Sequence, residues 1–291
     1  MKKLILILFL TVNLAFAGQL KIVTTVKPLA DIAREIVREK GKVSYIIPPN
    51  VSVHIYEYKI NDIKKVYQSD LFIFIGVGEP DINNLQKNAK KEKINVSEIK
   101  NLHKIKEFEF GEKHEHHFHE EGVIHPALWL DPYNGKVIAE SIYKKVSKLD
   151  PDNERYYREN LVNFEKRLDN FYKKSKDKIS QLKNRYFISY HYAWPYFVKA
   201  FNLIYLDVIE LGHGREPTPK HIAELIKKIK KFSVKSIFAA KQFYNKRYGE
   251  LIKRMTGVKV VFLDPFGEKK DYIQMLDYNV KKVFKALKEN R

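Results

Sequence analysis

The 291-residue sequence predicts an α/β protein of two lobes, each a mainly parallel sheet flanked by helices, joined by one long rigid helix. Short apolar stretches alternate with amphipathic stretches on both sides of the middle of the chain, which is typical of parallel sheets. Between them, residues 150–183 contain no Gly and no Pro beyond Pro151, and they carry a single apolar stripe on an otherwise charged sequence. We therefore predict an N-terminal lobe at 18–149, a linker helix at 150–183 and a C-terminal lobe at 184–291.

The first 17 residues have the features of a signal peptide. Lys2 and Lys3 precede a largely apolar run at 4–14, and residues 15–17 form an A-x-A cleavage site. The apolar run is too short for a comfortable membrane span. We expect cleavage after Ala17 and export to the periplasm. Because the chain has no Cys to carry a lipid at that junction, we expect a freely soluble exported protein.

The N-terminal lobe is predicted from apolar runs and the breaks between them. LKIVTTV and LFIFI are predicted to be buried strands, Pro28 to open a helix, and Pro48 and Pro49 to end a strand. The predicted strands are 20–26, 43–47, 71–75 and a weak 94–96, with a further strand around Trp129, and the predicted helices are 28–40, 61–67 and 134–148.

The linker helix has a predicted start and a predicted buried face. Asp150 is a suitable N-cap, and Pro151 fits the first helical position because its missing N–H would have no partner there. The apolar stripe comprises Tyr157, Leu161, Phe164, Leu168, Phe171 and Ile179. At 1.5 Å per residue, the helix would span roughly 45 Å.

The C-terminal lobe repeats the alternation of the first. YFISY and KVVFL are predicted strands, and a Gly- and Pro-rich loop at 212–219 precedes a helix. The predicted strands are 186–190, 203–209, 236–239 and 259–263, and the predicted helices are 194–201, 219–231, 245–256 and 270–287.

Composition excludes several classes of function and site. The net charge of +19 comes mainly from Lys scattered along helix faces, whereas nucleic-acid-binding surfaces are usually rich in Arg, so we expect no nucleic-acid partner. The absence of Cys excludes disulfides and thiolate metal sites. Any bound metal must therefore be held by His, Asp and Glu.

Five of the ten histidines lie between positions 114 and 125. Residues 111–122 cannot form a buried element, so we predict an exposed His-rich loop that collects metal ions weakly. Its histidines are His114, His116, His117 and His119.

Four candidate metal ligands lie at or near strand ends. His54 follows the strand ending at residue 47, His191 and Asp264 directly follow predicted strands, and His125 precedes the Trp129 strand. Ligands of open α/β sheets bind beyond the carboxyl ends of strands, and imidazoles with one carboxylate suit Zn²⁺. Each residue alone is also compatible with a structural hydrogen bond or turn. Their common position at strand ends in two facing lobes favours a metal site.

These motifs resemble the zinc-uptake (ZnuA-like) branch of the metal-specific solute-binding proteins that serve ABC transporters. The resemblance covers nearly the whole mature chain, through VTTVKPLADIA, PPNVSVHIYE, LFIFIGVGEPD, WLDP, DPDNERYY, SYHYAWPYFVKAFNL, EPTPKHIAEL and VVFLDPFG. It implies two lobes tied by one rigid helix, with the metal in the cleft between them.

The resemblance also implies a ligand set. The family's ligands fall on His54 of an H-x-Y-E motif, on His191, and on Asp264 of LDPFG. A His at position 191 is similar to zinc-type members, whereas manganese-type members tend to carry Glu. The family's remaining His falls on Ala127 here, so we expect His125 to replace it, with a loop residue such as His119 or a water molecule as the alternative.

The expected function is capture of Zn²⁺ and delivery to an ABC transporter permease by a monomeric periplasmic protein that is not an enzyme. A manganese or iron transporter component is the nearest alternative. A secreted metallohydrolase, with Glu57 or Glu210 as its general base, is disfavoured because the chain has no H-E-x-x-H motif.

Overall fold

The computed structural model of the protein describes residues 19–106, 124–210 and 216–288. The predicted signal peptide lies outside these ranges, as does the His-rich loop with His114, His116, His117 and His119. Across the described ranges, no helix combines the length and the apolar character needed to cross a membrane.

The predicted α/β fold of two lobes is confirmed. The first lobe contains one parallel sheet with strand order β2-β1-β3-β4. Its elements are β1 (Leu20–Val26), α1 (Lys27–Val37), β2 (Gly41–Ile47), α2 (Ile60–Gln68), β3 (Leu71–Phe74), α3 (Ile82–Leu85), β4 (Glu92–Asn95) and α4 (Pro132–Leu149), followed by the long helix α5 (Glu154–Ser180).

The second lobe repeats this topology with the order β6-β5-β7-β8, again all parallel. Its elements are β5 (Tyr186–Ser189), α6 (Pro195–Ala200), β6 (Ile204–Val208), α7 (Pro219–Lys231), β7 (Ser236–Ala240), α8 (Lys246–Thr256), β8 (Lys259–Leu263) and α9 (Tyr272–Lys288). In both sheets the strand order reverses beside the first strand of the lobe, which places the expected ligand crevice at that point.

The long helix differs from the prediction at its first turn. Residues Pro151–Asn153 form a 3-10 turn, and α5 begins at Glu154. Asp150 takes the predicted N-cap position of this turn, followed by Pro151, but its side chain makes no capping bond. Its carboxylate accepts hydrogen bonds from the side-chain amide of Asn153 and, at 2.6 Å, from the Tyr157 hydroxyl. The 27 residues of α5 extend about 40 Å.

The predicted strand around Trp129 was also wrong. Residues Leu128–Leu130 form a 3-10 turn in which the Leu128 N–H bonds to Pro126 O and the Leu130 N–H to Ala127 O. All three residues are buried, so a short apolar run fitted a turn as well as a strand.

One hydrophobic core extends through both lobes. It includes the α5 stripe and continues into one face of the second sheet through Phe187, Phe238 and Leu263. The opposite face of that sheet, with Ile188 and Ile237, packs under α7 and α8 in a separate, smaller cluster. Neighbouring residues of a strand point to opposite faces, so β5 and β7 each contribute to both clusters.

Two buried hydrogen bonds connect the end of the first lobe to the end of the second. The Tyr272 hydroxyl donates to Trp129 O at 2.7 Å, and the Trp129 indole N–H donates to Pro265 O at 2.7 Å. Gly135 makes room for this contact, because a Cβ there would lie 2.2 Å from the Tyr272 hydroxyl oxygen.

Replacing Tyr272 with phenylalanine should therefore lower the free energy of unfolding by about 1–3 kcal/mol, because it leaves the buried Trp129 carbonyl without a donor. Urea denaturation of the metal-free protein measures the change. Tyr67→Phe, at a side chain that is 55% exposed, is the matched control and should alter stability by less than about 0.5 kcal/mol. Equal effects of the two substitutions would contradict the prediction.

Candidate metal centre

His191 lies immediately beyond β5, at the point where the strand order of the second sheet reverses. Its backbone carbonyl accepts hydrogen bonds from the Ser189 hydroxyl at 2.7 Å and from the Ala193 N–H at 2.8 Å. Its ring stacks on Phe243, with centroids 4.2 Å apart, and the residue is only 6% exposed. The backbone position and the ring plane are thus both fixed.

The Glu210 carboxylate sets the tautomer of His191. Glu210 Oε2 lies 2.8 Å from His191 Nδ1. A carboxylate accepts hydrogen bonds, so Nδ1 carries the proton and the lone pair of the neutral ring is on Nε2. A carboxylate behind an imidazole is the usual arrangement for a histidine that binds a metal through its other nitrogen.

His54 lies on a short 3-10 turn, and its backbone N–H bonds to the Ser52 hydroxyl. The orientation of the His54 ring is set by the loop that follows β3 of the first sheet. Its Nδ1 lies 3.1 Å from Gly78 O in the turn that follows β3. Gly78 has a positive φ of 69°, and a Cβ there would approach Pro126 to 2.9 Å, so glycine is required for this close approach. Because a carbonyl can only accept, His54 also carries its proton on Nδ1 and its lone pair on Nε2.

The two histidines from different lobes face each other. Their ring centroids are 5.8 Å apart and their planes are inclined by 58°. Two imidazoles on one tetrahedral Zn²⁺, at about 2.0–2.1 Å from each nitrogen, have centroids roughly 5 Å apart. The separation of the two rings is therefore close to that of two imidazoles that bind one ion.

His125 also lines this space between the two lobes, but its ring is the other tautomer. Its Nδ1 accepts a hydrogen bond from the Ala127 N–H at 3.2 Å, and its Nε2 lies 2.7 Å from Tyr192 O. The ring therefore has the opposite tautomer, with its lone pair directed at a backbone N–H. To bind a metal through Nδ1, His125 would have to give up the Ala127 bond.

Asp264 lies at the end of β8, next to two residues of the cavity wall. Its carboxylate accepts hydrogen bonds from the loop that follows, and Lys270 Nζ lies 3.2 Å from Oδ2. Among the residues that the structure describes, no group of three His, Asp or Glu side chains stands ready to hold an ion. Within these described residues, His125 and Asp264 could join His54 and His191 only by giving up a present hydrogen bond.

A small cavity of about 20 Å³ lies between the lobes. Its walls include His54, His125 and His191, together with Val53, Pro126, Ala127, Trp129, Tyr192, Ala193, Phe243, Pro265 and Phe266. Sequence analysis missed Phe243 and considered Glu210 only as a catalytic base. Both follow strands of the second sheet, so the strand-end rule that selected His191 could have selected them too.

Glu79 closes the turn that holds His54. It is 6% exposed, and its Oε2 accepts a hydrogen bond from the Gly76 N–H at 3.0 Å. Its other carboxyl oxygen has no hydrogen-bond partner among the described residues. Burial raises the pKa of Glu79 from 4.5 to about 7, and the hydrogen bond from the Gly76 N–H only partly opposes that shift. Glu79 therefore favours its neutral form at mildly acidic pH.

Comparison with known proteins places this geometry in a family. The profile described as "Zinc-uptake complex component A periplasmic" matches residues 22–286. The chain is 29% identical to the manganese ABC transporter substrate-binding lipoprotein PsaA of Streptococcus mitis, over 94% of this chain and 91% of that protein. It is 28% identical to the zinc-binding protein AdcA of Streptococcus pyogenes serotype M3, over 91% of this chain but only 56% of AdcA.

The fold is similar to that of solved structures. A crystal structure of ZnuA superposes with a TM-score of 0.81 at 25% identity, covering 94% of this chain and all of that one. Because the family match extends over nearly the whole described chain, the protein belongs to the zinc-uptake complex component A (ZnuA) family of ABC transporter substrate-binding components, which are not enzymes.

Proposed function

We propose that this protein captures Zn²⁺ between its lobes and delivers it to the membrane permease of an ABC transporter. The observation that carries the proposal is the pair His54 and His191, one from each lobe, with ring centroids 5.8 Å apart and lone pairs on Nε2. Imidazole nitrogen suits Zn²⁺ better than it suits harder cations. The family description and the zinc-binding relative support zinc, whereas the manganese relative supports the alternative cargo.

The proposed ligands are His54 and His191 through Nε2, completed by His125 and Asp264. The last two would first exchange a present hydrogen bond for the metal. A loop histidine such as His119, or a water molecule, is the alternative to His125. Glu210 would hold His191 from behind and increase its basicity as a ligand.

The proposed setting is the periplasm, after cleavage of the signal peptide behind Ala17. The protein would act there as a monomer and meet the permease directly. The lipoprotein relatives, which belong to ABC transporters, support export and a permease partner. A manganese or iron cargo remains the alternative, since relatives of similar identity carry different metal names.

In a competition titration, the metal-free protein should bind Zn²⁺ more tightly than Mn²⁺ by about tenfold or more, because nitrogen ligands favour later first-row ions. Any protein site tends to favour zinc over manganese, so the ratio needs a matched variant. In His191→Glu, an oxygen ligand replaces a nitrogen, and the preference for zinc should shrink by roughly an order of magnitude. A wild-type protein that keeps Mn²⁺ against an equal concentration of Zn²⁺ would support the manganese alternative instead.

A further inference from the structure

The Asp264 carboxylate is saturated with hydrogen-bond donors. Oδ1 accepts from the N–H groups of Phe266 at 3.2 Å and Gly267 at 2.8 Å. Oδ2 accepts from the Glu268 N–H at 3.0 Å and from Lys270 Nζ at 3.2 Å. Four donors fill the roughly four acceptor positions of a carboxylate. Asp264 can therefore bind a metal ion only if one of these donors leaves.

Three of the four donors cannot leave easily, because they belong to the backbone of one turn. That turn is fixed at its start by the buried Asn279, which accepts from the Asp264 N–H at 2.8 Å and donates to Asp264 O at 2.7 Å. It is also fixed at its end, where Lys27 Nζ donates to Lys270 O at 2.5 Å. The backbone donors should thus remain in place when the cargo changes.

The Lys270 ammonium is the one donor at the end of a flexible side chain. It is partly exposed, and Nζ already lies 4.3 Å from the centroid of the Tyr278 ring on α9. The face of an aromatic ring attracts a cation electrostatically. The Lys270 ammonium therefore keeps a favourable contact with Tyr278 when it withdraws from Asp264.

We propose that Lys270 competes with the metal for Asp264, pairing with the carboxylate in the metal-free protein and withdrawing from it, with Tyr278 as its remaining contact, when the ion binds. The inference rests on the proposed function, and specifically on Asp264 as a ligand. A cation that returns to the carboxylate weakens metal binding and accelerates metal release. Lys270 would then adjust the affinity so that the cargo can be transferred to the permease.

The test compares wild-type protein with Lys270→Met, Lys270→Arg and Lys269→Met. Zinc affinity is measured by competition with a chromophoric chelator, and zinc release by stopped-flow mixing with excess chelator. Lys270→Met should bind zinc roughly tenfold more tightly and release it correspondingly more slowly, because a nearby positive charge is lost. Lys270→Arg keeps the charge and should resemble the wild type. The exposed Lys269 has no contact with Asp264, so Lys269→Met, which loses the same formal charge, should change affinity by less than about twofold.

A second measurement follows the lysine itself. In wild-type protein, the NMR signals of the Tyr278 ring should shift when zinc is added, and in Lys270→Met that shift should disappear. Should Lys270→Met not fold, Lys270→Gln replaces it in both measurements. Equal tightening by Lys269→Met and Lys270→Met would overturn the inference, because the effect would then be one of general charge.

Asp264→Asn separates failure of the inference from failure of the proposed function. If Asp264→Asn weakens zinc binding while Lys270→Met has no effect, Asp264 is a ligand but Lys270 does not compete for it. If Asp264→Asn binds zinc like the wild type, the inference fails together with this ligand, although zinc capture stands. If the wild-type protein itself does not bind zinc, both the inference and the proposed function fail.

Discussion

Replacing His191 with alanine should weaken zinc binding by two to three orders of magnitude. Zinc sites with four protein ligands contribute about 10–16 kcal/mol of binding free energy, so each ligand contributes roughly 2.5–4 kcal/mol. Phe243 and Glu210 fix the ring plane and the tautomer of His191, so its Nε2 is the nitrogen that would bind the ion. Competition titration with a chromophoric chelator at pH 7.5 measures the loss.

His103 provides the control for His191→Ala. Its Nδ1 lies 2.7 Å from Asp131 Oδ2, it stacks on Tyr133, and it is not part of the cavity wall. His103→Ala should leave zinc affinity within about threefold of the wild type, since a residue remote from a site seldom couples to it strongly. His54→Ala should match His191→Ala. Loss of affinity in His103→Ala, or none in His54→Ala, would contradict the proposed pair.

Replacing Glu79 with glutamine should make the protein more stable at high pH and leave its stability unchanged at low pH. The pKa of Glu79 is raised to about 7 in the folded protein, against an ordinary value of 4.5. Its contribution to stability is thus fully present below pH 4.5 and is lost as the pH rises through 7, and the complete loss amounts to roughly 3 kcal/mol. Glutamine resembles the protonated acid and avoids that loss.

The measurement is urea denaturation of the metal-free protein at pH 4.5, 6 and 8. The advantage of Glu79→Gln over the wild type should grow across this series to about 3 kcal/mol. Glu57→Gln, on the exposed segment after His54, is the matched control and should show no such growth. An advantage that is the same at every pH would show that the substitution acts through packing and not through ionisation.

The fold could be predicted from the sequence where apolar runs were long and bounded by clear breaks. The structure places α7 at Pro219–Lys231 and β8 at Lys259–Leu263, as predicted, because Pro219 begins α7 and Gly257 ends the helix that precedes β8. Prediction failed at 128–130, where three apolar residues are too few for periodicity to distinguish a strand from a turn. At Asp150 the predicted N-cap position is confirmed, but the carboxylate binds side chains of the next turns.

The proximity of His54 and His191 could be predicted from the sequence, but the tautomers of the histidines could not. Strand ends identified His54 and His191, since the topology alone brings these positions to one crevice. The tautomers depend on Gly78 O and on Glu210, whose contacts exist only after the side chains have packed. The same holds for His125, whose bond to the Ala127 N–H arises from the local path of the chain around Pro126.

The division of the hydrophobic interior determines where the molecule can loosen. Most of the protein shares a single interior, so the two lobes should melt together and resist swinging apart as separate bodies. Only the layer formed by α7 and α8 rests on its own small cluster, to which Ile209 belongs. Glu210 is held to the sheet and not to that layer, because its N–H bonds to Tyr190 O at 2.8 Å. The two helices should therefore loosen while the residues behind His191 stay in place, and backbone amides of α7 and α8 should exchange hydrogen sooner than those of α1 and α5.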